Sequence, residues 1–119
     1  MNRNDFLEFC REIAGCVVDQ PFQGDSETSI ARHRDTGKWF AAVLKHQENT
    51  LVNLKCEPLE SEFLQSVYNG IRPAYHMNKR HWISIYLGSD VPDELLEQLT
   101  RRSFALTDRH RVRISIEEY

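Results

Sequence analysis

The clearest hydrophobic rhythm in the chain runs over residues 82–87, where Ile83, Ile85 and Leu87 alternate with Trp82, Ser84 and Tyr86. A period of two marks a strand with one apolar face, and it sets the tryptophan and the tyrosine on the opposite face. Upstream, Pro73 favours an extended entry and Asn78-Lys79 supplies a reversal. The pattern therefore predicts a hairpin of residues 74–77 and 81–87, with Lys79, Arg80 and His81 at its tip. Further strands are predicted at 29–34, 38–46 and 51–56, joined by the turns Asp35-Thr36-Gly37 and Glu48-Asn49. Alternation in the second of these sets Phe40, Ala42 and Leu44 against Trp39, Ala41, Val43 and Lys45. In the third it sets Val52, Leu54 and Cys56 against Leu51, Asn53 and Lys55.

Helical spacing appears three times. Behind Asn4, Phe6, Leu7, Cys10, Ile13, Ala14 and Val17 recur on one side, with Gly15 near the end of the run. A second helix starts at Pro58 and carries the stripe Leu59, Phe63, Leu64, Val67 and Tyr68 up to Gly70. The third opens at Asp93 after Pro92, with Leu95, Leu96, Leu99, Phe104 and Leu106 on its apolar side. In the tail, Val112, Ile114 and Ile116 alternate with Arg113, Ser115 and Glu117, which predicts an extra C-terminal strand over 111–119. The expected fold class is α+β and two-layered, an antiparallel sheet of about five strands with three helices in the order α-β-β-β-α-β-β-α.

A length of 119 residues suits one compact domain. No apolar run approaches the roughly 20 residues that span a bilayer, and the first residues lack an apolar signal core, so a cytoplasmic protein with no membrane segment is expected. The three cysteines, Cys10, Cys16 and Cys56, form an odd set without a CxxC pair, which fits reduced thiols. A net charge of −3 argues against coating nucleic acid indiscriminately. The charge is segregated, however, because residues 71–89 contain Arg72, Lys79 and Arg80 and no acid.

If helices cover one sheet face, Phe40, Leu44, Val52, Leu54, Ile83 and Ile85 form the core. The other face then presents Trp39, Lys45, Asn53, Lys55, Trp82 and Tyr86. Rings interleaved with lysines suit stacking on bases with ammonium groups at phosphates, and they suit a protein partner or homodimer equally well. His76 and His81 lack a third ligand, so no metal is expected. No glycine-rich phosphate loop is present and the starts of the second and third helices are acidic, so no nucleotide cofactor is expected. Cys56 beside one of those histidines is the only nucleophile pairing the sequence offers, and with no activating third group the expectation is a binding module without enzymatic activity.

The segments NLKCEP (53–58), GIRPAYHMNKRHWISIYL (70–87) and VPDELLEQLTRRSFAL (91–106), taken in this order, resemble the MmcQ/YjbR family of small bacterial proteins. The resemblance implies a two-layer fold similar to type III secretion chaperones and to the double-wing domain of a phage transcription activator, and it implies DNA binding. It maps the family's motif positions onto Lys55, Arg72, Pro73, His76, Asn78, Lys79 and Trp82. With Arg80 and Tyr86 beside them, the expected DNA-binding or interface surface comprises Lys55, Arg72, His76, Asn78, Lys79, Arg80, Trp82 and Tyr86.

Overall fold

The computed structural model describes residues 1–108, so the strand expected at 111–119 lies outside the described residues. The elements are α1 (Arg3–Arg11), β1 (Cys16–Asp19), β2 (Ser29–His33), β3 (Trp39–His46), β4 (Asn49–Lys55), α2 (Pro58–Val67), β5 (Ile71–Pro73), β6 (Trp82–Tyr86) and α3 (Asp93–Leu106). The strands form one antiparallel sheet in the order β1-β2-β3-β4-β6-β5. The α+β class and the alternation of helices and strands are those expected, with β1 added before the first predicted strand. Helix α1 is capped by Asn2 and not Asn4: the Asn2 side chain accepts from the Asp5 N–H (2.8 Å) while the Asp5 carboxylate accepts from the Asn2 N–H. The helix stops at Arg11, Gly15 takes a left-handed φ of 87°, and Val17 belongs to β1. Cys16-Val17-Val18 satisfies either period over so short a span, and β-branching together with the glycine favours the strand.

One layer of helices covers one sheet face. Val43, Val52, Ile85 and Ile71 lie in register across four strands, and Ala41, Leu54 and Ile83 across three; all are buried in one core with Leu64, Leu96 and Leu99 and the α1 side chains Phe6 and Cys10. The predicted faces of β3 are corrected by a bulge. Ala31 pairs with Ala41 and Arg32 with Trp39, which leaves Phe40 as the extra residue. Phe40 therefore joins Ala41 and Val43 on the helix side, edge-on to Phe104 at 4.9 Å between centroids, whereas Leu44, expected in the core, is half-buried on the other face. The Ser103 hydroxyl secures this corner: it donates to the Phe40 carbonyl (2.5 Å) and accepts from the Lys55 N–H (2.8 Å), tying α3 to β3 and β4.

The second sheet face is not open along its length. Asn53, expected to be exposed, is 0% exposed, and Ser84 opposite it is also buried. The segment after β5 crosses over them. The Tyr75 N–H donates to Ser84 Oγ (2.8 Å), the Ser84 hydroxyl donates to Asn53 Oδ1, and Asn53 Nδ2 donates to the Tyr75 carbonyl (2.7 Å). This closed ring of hydrogen bonds satisfies both backbone groups of Tyr75. It also explains why the predicted hairpin of 74–77 with 81–87 does not form. The strand facing β6 is Ile71–Pro73, with Pro73 tolerated at the sheet edge, and Ala74 to His81 arch over the sheet.

Helix α2 also departs from expectation. Of its predicted stripe only Leu64 is buried, with Tyr68 partly buried against the core, while Leu59, Phe63 and Val67 are 83%, 64% and 50% exposed. Beyond α2, the Asp90 carboxylate accepts from the Asn69 N–H (2.8 Å) and the Gly70 N–H (2.7 Å), and these bonds hold its carboxyl below the usual carboxylate range. Gly70 is required for this approach, since a Cβ there would stand 1.9 Å from Ser89 Oγ.

Three measurements check this architecture. Ile85→Ala removes a side chain 1% exposed and lowers unfolding free energy by about 2–5 kcal/mol in chemical denaturation; a loss below about 1 kcal/mol would contradict its burial. Asn53→Ala leaves the Tyr75 carbonyl and the Ser84 hydroxyl short of a partner and costs about 1–3 kcal/mol, with faster amide exchange at Tyr75. For Asp90 the folded pKa is depressed, so its contribution is present above the unfolded value of about 4 and lost as pH falls through the folded one. The Tm difference between wild type and Asp90→Asn should shrink as pH drops from about 6 to about 2.

Candidate functional site

At one end of β4 and β6 the second sheet face holds a groove of about 450 Å³, lined by Lys38, Trp39, Lys55, Met77, Trp82, Leu106 and Thr107. Each wall has a local cause. Trp39 opens β3 just before the bulge and leans edge-on against Phe22, at 6.0 Å between centroids. Lys55 and Trp82 are direct cross-strand partners, and the Lys55 ammonium lies 5.5 Å from the centre of the Trp82 ring. Such a contact contributes about 0.5–1 kcal/mol where it is partly exposed and holds the charge beside the ring. Met77 arrives on the arch pinned by Asn53. Leu106 and Thr107 arrive because the end of α3 is anchored: His33 stacks on Phe104 at 4.1 Å, and its Nε2 pairs with Thr107 Oγ1 (2.8 Å). The Thr107 hydroxyl donates to the Ser103 carbonyl, so in this arrangement the histidine is the donor.

The arch delivers the basic tip to the same neighbourhood. Asn78 shapes the turn, its side-chain oxygen accepting from the Arg80 N–H (2.9 Å) and its carbonyl from the Trp82 N–H (3.0 Å). The Cys56 N–H donates to the His81 carbonyl, fastening the end of the turn to the end of β4. Lys79 and Arg80 are thus exposed between Met77 and Trp82, both of which line the groove. Among the described residues none of Lys38, Lys55, Lys79 and Arg80 has a carboxylate partner, whereas Lys45, expected on the same face, is tied to Glu27 at 3.3 Å. His76 is exposed, at a left-handed φ of 62°, with its ring against Tyr75 at 3.8 Å.

The expected surface is therefore divided. Lys55 and Trp82 share the groove, and Asn78, Lys79 and Arg80 form the turn beside it. Arg72 and Tyr86 instead line a separate polar cleft of about 670 Å³ with Asn49, Asn69, Gly70 and Asp90. That cleft lies at the far end of β6, about 13 Å along the strand from Trp82. Lys38, Met77 and Leu106 were outside the expected set. Lys38 has a legible signal, since it immediately precedes Trp39 after a turn; Met77 and Leu106 are brought in only by the arch and by the anchoring of α3.

No described helix is long and apolar enough to cross a membrane. The sequence is 32% identical to the Bacillus subtilis (strain 168) protein YyaQ over 117 residues, covering 90% of this chain and 98% of that one. The fold superposes on a crystal structure of a Pseudomonas syringae protein with a TM-score of 0.82 at 29% identity, covering 91% of this chain and all of that one. It superposes on the Deinococcus radiodurans protein DR2400, described as a DUF419 domain, with a TM-score of 0.76 at 29% identity, covering 89% and 78%. The model of the YjbR family matches residues 11–106, which takes in all six strands, α2, α3 and the last residue of α1, and the chain belongs to the YjbR family.

Proposed function

We propose that this chain is a non-enzymatic binding module that takes a single-stranded segment of nucleic acid, DNA in the first instance, into the Trp39–Trp82 groove. The observation that supports it is the meeting in one groove of two indole rings and two unpaired ammonium groups, supplied by β4, β6 and the start of β3 with the residue before it. Rings of this kind stack on bases whatever the sequence, and Lys38 and Lys55, with Lys79 and Arg80 beside them, face the phosphates. The net charge of −3 restricts binding to this locus, because the rest of the surface repels the strand. A binding role is also favoured over thiol chemistry. Burial, then the Glu60 carboxylate, pushes the Cys56 thiol up to about 12, and burial raises Cys10 and Cys16, so the thiols stay protonated near neutrality. A cytoplasmic location accords with these reduced thiols.

A second reading has its own support: Trp39, Met77, Trp82 and Leu106 make much of the groove apolar, which suits a protein partner or a second copy of the chain. The two readings separate in one experiment, anisotropy of a labelled oligothymidylate at several salt concentrations beside size-exclusion with light scattering. With four cations engaged, the log–log salt slope should be about −3, and Lys55→Ala should reduce it by about 0.7. Trp82→Ala should weaken binding by about 1–3 kcal/mol with little change in slope. Oligonucleotide retention unaffected by either change, together with a dimer that Trp82→Ala dissociates, would replace the nucleic-acid reading with the interface reading.

A further inference from the structure

The cleft at the Tyr86 end has walls that the fold fixes and side chains that the fold does not use. Asp90 holds the Asn69–Gly70 backbone, the Ser89 hydroxyl donates to the Tyr86 carbonyl (2.6 Å), and the Leu87 N–H donates to the Thr50 carbonyl (3.0 Å). Among the described residues the Arg72 guanidinium, the Tyr86 hydroxyl and the carboxamides of Asn49 and Asn69 make no hydrogen bond or ion pair within the protein, and all four residues line this volume of about 670 Å³. The strand sets the spacing of the two charges. Residues 70 and 72 share a face of the sheet, and a Cβ at Gly70 would stand 3.1 Å from Asp90 Oδ1, so the Asp90 carboxylate lies beside the place of a side chain at position 70. Two strand positions span about 7 Å. A fixed anion and an unpaired cation are thus rooted about two residues apart on one face without closing into an ion pair. Each Asp90 oxygen accepts one backbone N–H and keeps capacity for another donor.

We propose that this cleft binds a free α-amino acid with a polar, uncharged side chain, taken as its zwitterion. The planar fork of Arg72 would receive the α-carboxylate through two parallel hydrogen bonds, and Asp90 would receive the α-ammonium. Tyr86 and the two carboxamides would face the side chain. The charges decide the class of ligand. A bare oxyanion is drawn by Arg72 and repelled by Asp90, a simple cation meets the reverse, and a zwitterion complements both at the spacing the strand provides. The backbone N–H groups of Asn69 and Gly70 favour the ionised form of Asp90, so this charge pattern is unchanged around neutrality. The volume falls within the roughly 300–1,000 Å³ of small-molecule sites. The cleft lies across the arch from the tryptophan groove, so the proposal does not rest on the nucleic-acid reading.

The test uses the full chain labelled with nitrogen-15, with L-glutamine and L-serine as probes and amide chemical shifts as the readout. At least one of the two should shift the Asn69, Gly70 and Arg72 signals saturably and leave the Trp82 indole signal in place. The α-amide of that amino acid, which lacks the carboxylate, and its N-acetyl form, which lacks the ammonium, should each bind about tenfold or more weakly, the loss expected for one charge-assisted contact. Arg72→Gln should weaken the amino acid by a similar factor. Because Arg72 is exposed and without a partner, that variant should melt as the wild type does, which separates lost binding from lost folding. An Asp90 variant would also release the Asn69–Gly70 backbone, so the N-acetyl ligand tests that arm. The proposal is overturned if neither amino acid shifts these signals up to about 10 mM, above the millimolar range of weak complexes. It is also overturned if the N-acetyl form or inorganic phosphate binds as well as the amino acid, which would make Arg72 a general anion contact, or if oligothymidylate displaces the amino acid, which would make the cleft part of a nucleic-acid path.

Discussion

The exchange of hydrogen bonds among Asn53, Ser84 and Tyr75 is the constraint on which the binding face depends. A carboxamide buried in a sheet must be satisfied, and here Ser84 of the neighbouring strand serves its oxygen while its N–H donates to Tyr75, in a segment outside the sheet. Lifting the arch would break the two hydrogen bonds that join Tyr75 to Asn53 and Ser84, at about 0.5–1.5 kcal/mol net for each, and would uncover the apolar surface beneath. Together with the burial of Ala74, this offsets the roughly 1–2 kcal/mol of holding His76 at positive φ next door, so the arch stays down. With the arch down the centre of the sheet face is covered, and only its ends remain as grooves.

Each groove then takes its character from what reaches it. At the Lys55 end, the β3 bulge, the hydroxyl of Ser103 and the stacking of His33 on Phe104 fix the end of α3, which places Leu106 and Thr107 opposite the tryptophans. At the Tyr86 end, Asp90 draws the Asn69–Gly70 backbone inward and leaves a polar cleft with Arg72 as its cation. Charge follows the same division by layer. Unpaired lysines gather on the sheet side at the tryptophans, and carboxylates gather on the helix side along α2. The domain carries a net −3 and still has one cationic locus, and global charge and local chemistry answer different questions about partners.

The sequence by itself determined most of the secondary structure and the identity of the inner face of the central strands. Ile83, Ile85, Val52 and Leu54 alternate cleanly, and a one-residue slip would have exposed all of them, so their register was never in doubt. It also placed Lys55, at the end of one predicted strand, and Trp82, at the start of another, on the same sheet face, and it set Lys79 and Arg80 in the turn just before Trp82. What only the tertiary structure decided were features that arise where two elements meet. The bulge that sets Ala41 and Val43 on the same side as Phe40, and Leu44 on the other, depends on pairing with β2 and on Ser103, sixty-three residues from Phe40. The arch replaced a hairpin because Asn53 and Ser84 offered Tyr75 better partners than a strand edge did, and an asparagine in a strand reads as polar and outward until its partner is known. Helix α2 shows the limit most plainly. Its stripe announced a buried face, yet α2 lies at the margin of the core, where Ser61 and Leu64 suffice, and helical periodicity fixes which residues share a face without fixing which face the rest of the chain will cover.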